Sequence, residues 1–455
     1  MNLENNIIDQ LSRNKLAICW LRNGVISLAL AGVYSIILVM LRTPILVTLF
    51  PNTEIFKSAL VIHVNLSILV WLISVTACIW SYNLQPTTSS ITYVIIAFFG
   101  TALIALSPLC GQNLPVMNNY IPMLENIMFI LGISLFGISV LLFSSNVILT
   151  TIKNLKSQKL INFTILSTAI MWILVWVCFI CSYYQLQQVI KLVPVDIEFY
   201  YELLFWSGGH LLQFIYTQIM ILVMIVLSNT WVNKELRFNK LYLILLYLNF
   251  LISIAAIWGH LSYDIIDAEF KEYYTKQMKY GGGIAPVLSL ILIFYELVSH
   301  NHKLVVNSLI KASIICSSIL FLSGGFIGVL ITSMNVTVPA HYHGSIVGIS
   351  VAFMGFSFLL CDNACNNEQK KNSYSSAAII TLTIGQMLHI IALLFAGGYG
   401  VMRKIPGVEM TISSKLLMGA MGGGGLIAIV GGLMFVVICG KKMVLRQFGI
   451  RDKKK

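Results

Sequence analysis

Histidine is the side chain that can ligate a metal or a haem iron while sitting in an otherwise apolar helix. The chain has eight. His300 and His302 fall in a short polar segment between apolar runs, where water solvates them. His63, His210, His260, His341 and His343 instead lie in or at the ends of long apolar runs, and all fall on one side if those runs alternate in direction. An ionisable residue at membrane depth is a functional candidate by default. Any one of these imidazoles is explained by a hydrogen bond in a packed core, but their gathering on one side is not. His389 lies near the middle of another run, with Gln386 and Thr383 beside it. It reads first as a hydrogen-bonded buried histidine, and second as a group that tunes a haem or relays a proton.

His341 and His343 carry further geometry. At about 100° per residue, positions i and i+2 of a helix diverge by about 200°. The two imidazoles therefore cannot share one ion, but each can serve a centre on its own side of the helix. One side can complete a bis-histidine haem with a histidine from another helix. The other can hold a five-coordinate haem with an open face, and His210 and His260 are then free to bind a metal opposite it. Imidazole suits copper, iron or zinc in that role.

These residues need helices to hold them. Of 455 residues, 58% are hydrophobic and only 10% charged, with a mean hydropathy of +0.87. A typical soluble domain is about 25% charged, so the composition excludes an ordinary soluble enzyme, a disordered chain and a nucleic-acid binder. Twelve runs are long enough to span a bilayer: 24–41, 58–81, 90–110, 126–150, 162–183, 202–228, 240–262, 282–299, 308–332, 340–361, 376–397 and 415–439. Backbone groups in hydrocarbon must satisfy one another, so the runs are helices. The predicted fold is an all-α polytopic membrane bundle, with a polar N-terminus (1–23), a membrane domain (24–439) and a basic tail (440–455).

The formal charge of +12 sits at the C-terminus and in alternate loops: Arg13, Lys15 and Arg22; Lys153, Lys156 and Lys159; Lys234, Arg237 and Lys240. By the positive-inside rule both termini face the cytoplasm and the histidines lie at the outer side. The first apolar stretch comes too late for a cleavable signal peptide and lacks a small-residue cleavage site. The nine cysteines fit no disulfide framework, and Cys178 and Cys181, a C-x-x-C within a span, read as small apolar residues. Glycines 422–425 read as a close helix-packing surface.

The pattern resembles subunit I of the heme-copper oxidase superfamily, which includes terminal oxidases and nitric oxide reductases. The likeness covers nearly the whole chain. Ala340-His341-Tyr342-His343 resembles the family's H-F-H on helix 10, and Trp258-Gly259-His260-Leu261 its W-x-H-H on helix 7. The resemblance implies that His341 binds a high-spin haem, that His343 and His63 bind a low-spin haem, and that His210 and His260 bind a copper or non-haem iron. The loop "GGYGVMRKIPG" resembles the family's G-x-x-R-R, so Arg403 and Lys404 would contact haem propionates; two cations suit carboxylates there on charge alone. Arg42 could assist, or simply anchor span 1 at the interface.

The sequence also departs from the family. Leu261 stands where the family has a second helix 7 histidine. Phe214 stands four residues after His210, where common oxidases have a tyrosine and nitric oxide reductases a glutamate. Ile254 occupies the place of another class's tyrosine, and Gln213 is the nearest polar neighbour able to offer an oxygen. The implied function is a divergent catalytic subunit, with two haems and one copper or non-haem iron, reducing O2 to water. The alternatives are NO reduction on the same scaffold, or a non-catalytic haem protein or transporter. The resemblance implies an electron-donating subunit bearing copper or haem c, fed by cytochrome c or quinol. The high Ile, Lys and Asn content suggests an AT-biased genome, and with it a bacterial inner membrane.

Reduction of O2 and of NO both consume protons. On the inner side only Glu296 and Lys311 are candidates, whereas Glu125, Glu202, Asp264, Asp267 and Glu269 lie on the outer side. Those outer acids read equally as a solvated rim or a docking face. The expectation is proton entry from the outside, with little or no pumping. Outward proton release by cells or vesicles, dependent on this chain and above background, would contradict it.

Overall fold

The computed structural model describes residues 5–42, 53–155, 159–299, 307–331, 335–364, 373–399, 401 and 411–447. Among these, twelve helices are long and apolar enough to cross a membrane. Spans 1 to 6 are Lys15–Leu41, Glu54–Asn83, Thr88–Leu109, Ile127–Ile152, Lys159–Ile190 and Ile197–Val232. Spans 7 to 12 are Asn239–Ser262, Ala268–Ser299, Ser308–Val329, Thr337–Ala364, Ser373–Gly398 and Ile412–Val444. The protein is an all-α integral membrane bundle. Large apolar side chains such as Val33, Phe99, Leu149, Leu251, Phe326 and Leu433 stay exposed around its circumference, as a lipid-facing surface requires.

Burial separates the spans. The most apolar stretch of span 6 is 94% buried, that of span 10 is 83% and that of span 2 is 72%, against 28% for spans 1 and 12. Spans 2, 6 and 10 are therefore the inner helices, and they carry His63, His210, His341 and His343.

Three local features differ from the sequence reading. Span 1 begins at Lys15, ahead of its apolar run at 24, because the preceding helix Asn5–Arg13 turns inward. Ile7 and Leu11 are buried, Asn14 donates to the Ser81 and Leu84 carbonyls, and Asn363 donates to Ser12 Oγ. Much of the expected polar N-terminus is thus packed against the ends of spans 2 and 10. Span 8 starts at Ala268, well before the apolar run at 282, so Glu269, Lys271, Glu272 and Lys276 ride on a helix and not a loop. The connection between spans 3 and 4 contains an antiparallel hairpin, Leu114–Val116 with Met123–Glu125.

Capping fixes where the helices begin. Asp196 Oδ1 accepts from Glu198 N and Phe199 N at the start of span 6, and Asn126 and Asn307 do the same for spans 4 and 9. At the end of span 6, Asn233 takes a left-handed conformation (φ 50°), which asparagine tolerates.

Glu296, one of the inner-side proton candidates, has a different structural role. It is buried in span 8, and its carboxylate accepts from the backbone N–H groups of Arg237 and Phe238 and from Tyr242 Oη. It therefore satisfies backbone donors at the start of span 7 that hydrocarbon could not satisfy. Replacing Glu296 with Ala is expected to cost about 1–3 kcal/mol for each donor orphaned, whereas Tyr242→Phe should cost about 0.5–1.5 kcal/mol. Thermal unfolding of the detergent-solubilised chain measures both, and a neutral Glu296→Ala would remove this role.

Candidate functional site

The structure places His63, His210, His260, His341 and His343 at one end of the bundle, near the starts of spans 2, 6 and 10 and the end of span 7. Span 2 is tied to span 10 by Trp71 Nε1, which donates to Ser350 Oγ at 2.9 Å in a buried contact. Trp71 lies eight residues beyond His63, and Ser350 seven beyond His343. Each offset is about two turns of helix, with the π-helical turn Asn65–Val70 inside the first, so the two histidines sit at similar heights. Gly24 of span 1 makes room for the indole, since a Cβ there would meet Trp71 at 2.9 Å.

The ring nitrogens distinguish two kinds of histidine. His63 Nδ1 lies 3.0 Å from the Ala31 carbonyl, and His341 Nδ1 lies 2.7 Å from the Gly324 carbonyl. A carbonyl only accepts, so in both rings Nδ1 carries the proton and Nε2 keeps its lone pair. Histidines that ligate a metal are commonly oriented in this way, by a bond from the ring nitrogen that does not face the metal. His341 and His343 diverge as their spacing predicts. The His341 ring lies over span 9, where a Cβ on Gly328 would come within 2.5 Å of Nδ1. The His343 ring meets the His389 ring of span 11, with centroids 4.8 Å apart at 60°. His389 Nδ1 in turn donates to the Met421 carbonyl of span 12 at 2.9 Å, and Gln386 Nε2 donates to the His343 carbonyl. His389 is thus a hydrogen-bonded, half-buried residue that also touches a candidate ligand.

His210 and His260 are different, because protein groups engage both nitrogens of each ring. His210 Nδ1 donates to the Trp206 carbonyl at 2.7 Å, and Nε2 accepts from Tyr120 Oη at 2.8 Å. His260 Nδ1 lies 3.3 Å from Gln185 Oε1, and Nε2 lies 2.9 Å from Ser207 Oγ. The Tyr274 ring approaches both, with centroids 5.9 Å from His210 and 6.1 Å from His260.

Tyr120 comes from the connection between spans 3 and 4, which is pinned onto the site. Asn118 Oδ1 accepts from Tyr120 N and Ile121 N, and the Glu202 carboxylate of span 6 binds the Asn119 backbone and side chain. Asn65 Nδ2 reaches the Pro122 carbonyl from span 2 at 2.7 Å, out of a π-helical turn, Asn65–Val70, next to His63. Burial, with the Glu202 carboxylate nearby, pushes the Tyr120 phenol well above its ordinary pKa, so it remains a proton donor.

Tyr120, Tyr274, Ser207 and Gln185 were not among the sequence candidates. Tyr120 and Tyr274 reach the site from a loop and from the unanticipated start of span 8. The only local signal was the glycine before each histidine, Gly209 and Gly259. Of the acids expected on the outer side, Glu202 anchors the loop, while Asp264, Asp267 and Glu269 are exposed. The Gln213 side chain is not among the hydrogen-bond partners of His210. Arg403, Lys404, His300 and His302 lie outside the described residues, as does the side chain of Arg42. The described cysteines are free thiols, Cys178 and Cys181 included.

Twelve apolar helices with histidines gathered at one end define a polytopic integral membrane protein. The chain belongs to the cytochrome c and quinol oxidase polypeptide I family, whose model matches residues 15–434. Members of that family generally bind haems and a copper or iron site. An uncharacterized protein of Rickettsia prowazekii (strain Madrid E) is 50% identical across 94% of this chain and 96% of its own length. An uncharacterized protein of Aquifex aeolicus (strain VF5) is 26% identical across 75% of this chain and 83% of its own.

The residues present fit the family's two kinds of group unequally. His63 and His341 offer Nε2 lone pairs behind carbonyl-anchored Nδ1–H groups, and that donor chemistry fits haem iron. His210 and His260 supply two imidazoles with all ring nitrogens engaged. Among the described residues, no group of three or more His, Cys, Asp or Glu is placed to hold a metal ion. This second donor set does not fit copper or non-haem iron.

The His341 anchor depends on backbone contact between spans 9 and 10. A Cβ on Gly324 would come within 2.1 Å of Ser345 N, whereas one on neighbouring Gly325 would meet nothing within 4 Å. Gly324→Val should therefore cost at least the ~1–3 kcal/mol typical of overpacking, because backbone cannot swing aside. Gly325→Val should be close to neutral. The thermal midpoints and membrane yields of the two variants test this, and equal effects would refute the contact.

Proposed function

We propose that this chain is a haem-carrying oxidoreductase subunit of a bacterial inner membrane that reduces O2. In this reading His63 and His343 would hold a low-spin haem, and His341 would hold a second, high-spin haem. The observation that carries it is the height match of His63 and His343 through the Trp71–Ser350 bond, with His341 turned to the other side of span 10. When bound, the haems supply electron transfer and gas binding.

The chain's own residues do the rest. Ala31 and Gly324 hold the His63 and His341 rings in the tautomer that presents Nε2. His389 packs against His343 and fixes the ring's setting. The surrounding apolar spans exclude water. Arg403 and Lys404 are proposed to neutralise propionates, and electrons to arrive from a partner subunit bearing copper or haem c, supplied by cytochrome c or quinol. O2 is favoured over NO because Tyr120 brings to His210 a phenol, which common oxidases take from the position of Phe214. The glutamate of nitric oxide reductases has no counterpart at that position.

The test is haem quantification with reduced-minus-oxidised and CO-difference spectra on the purified chain. Wild type is expected to show two haems, one of which binds CO. His63→Leu or His343→Leu should abolish the low-spin signal and keep CO binding, and His341→Leu should do the reverse. A wild-type chain that binds no haem, or histidine variants with unaltered spectra, would overturn the proposal. Consumption of NO with no consumption of O2 would replace the substrate.

A further inference from the structure

Two Gly–His steps in this chain share a feature that the haem reading does not use. The residue before His210 is Gly209, and a Cβ there would fall 2.2 Å from Tyr120 Cγ. The residue before His260 is Gly259, and a Cβ there would fall 2.5 Å from Tyr274 Oη. Neither glycine needs a positive φ, so their shared property is the space they leave. In each case a tyrosine ring fills that space and lies against the helix beside the imidazole.

Both tyrosines are held in place. Tyr120 packs edge-on to Trp206 at 5.5 Å, and its loop is bound to spans 2 and 6 through Asn65 and Glu202. Tyr274 is fully buried, and its hydroxyl donates to the Ala256 carbonyl at 2.7 Å. Ser207, one turn before His210, turns its hydroxyl to His260 and also approaches Ser182 Oγ at 3.4 Å. The space between spans 6, 7 and 8 at the histidine end is thus closed by phenols and a hydroxyl. A copper or iron ion there would need a lone pair from each imidazole and further donors besides. It would have to displace Tyr120 from His210 and Ser207 from His260, and Leu261 offers nothing in exchange.

We infer that the site between spans 6, 7 and 8 holds no metal, and that Tyr120 is built as the hydrogen-bond partner of His210 in the metal's stead. This rests on the family assignment, which makes a metal the default occupant, but not on either haem being present. The pair is a neutral phenol–imidazole site: the Tyr120 O–H donates to Nε2, and Nδ1–H donates to Trp206. It offers a fixed polar contact and one transferable proton where a redox ion would otherwise stand.

The experiment uses the full chain purified from cells grown with added copper and iron, then incubated with cuprous and, separately, ferrous ion and desalted. Haem is quantified independently and its iron subtracted, so failure of the haem reading registers separately. Copper and non-haem iron are expected to stay far below one per chain before and after incubation, and to be unchanged by His210→Ala. One copper or one non-haem iron per chain, lost on His210→Ala or His260→Ala, would overturn the inference. Nitrogen-15 NMR of histidine-labelled chain gives a second reading, using the resonance that disappears in His210→Ala. That Nε2 resonance should shift in Tyr120→Phe; no shift would overturn the role given to Tyr120.

Discussion

A bilayer core has no water to satisfy a polar group, and this requirement orders the histidine end of the molecule. Every buried imidazole N–H must find an acceptor within the protein. His63, His341 and His389 each take a helical backbone carbonyl, from Ala31, Gly324 and Met421, using the lone pair that the helix leaves free. The same bond fixes which nitrogen bears the proton and which keeps its lone pair. Solvation of the ring and preparation of a ligand are therefore one interaction.

The close contacts follow from it. A carbonyl on a neighbouring helix is reached only if the helices approach tightly, and glycine permits that. Gly324 meets the Gly344–Ser345 backbone between spans 9 and 10, and Gly385 and Gly424 do the same between spans 11 and 12, where Gly424 lies against His389 N. The connection between spans 3 and 4 obeys the same constraint. It enters the histidine end only because Asn118, Asn65 and Glu202 satisfy its backbone.

Much of the architecture was legible in the residues. The apolar runs gave twelve spans because length and composition suffice to define a membrane helix. The i, i+2 spacing of His341 and His343 fixed their divergence because helical geometry is rigid. Of glycines 422–425, Gly424 packs tightly against span 11 and Gly425 lies beside His389 and Val39, whereas a Cβ on Gly422 or Gly423 would meet nothing within 4 Å, so the packing surface is half of what the run suggested. The start of span 8 was not legible: Glu269 to Lys276 is polar, and hydropathy carries no signal for a helix extending beyond the apolar core. Glu296 looked like a proton carrier because an acid in a span invites that reading, and its backbone partners at 237 and 238 lie far away in sequence.

The sequence by itself determined the fold class, the family and the helices bearing histidines, because periodicity, hydrophobicity and short motifs are local properties. Only the tertiary structure decided what each imidazole does. Whether a ring nitrogen is free or engaged depends on groups distant in the chain: Ala31 for His63, Gly324 for His341, Tyr120 for His210, and Gln185 with Ser207 for His260. A histidine in a motif announces the capacity to bind iron or copper. The partner that packing places on its nitrogens determines whether a lone pair is left to do so.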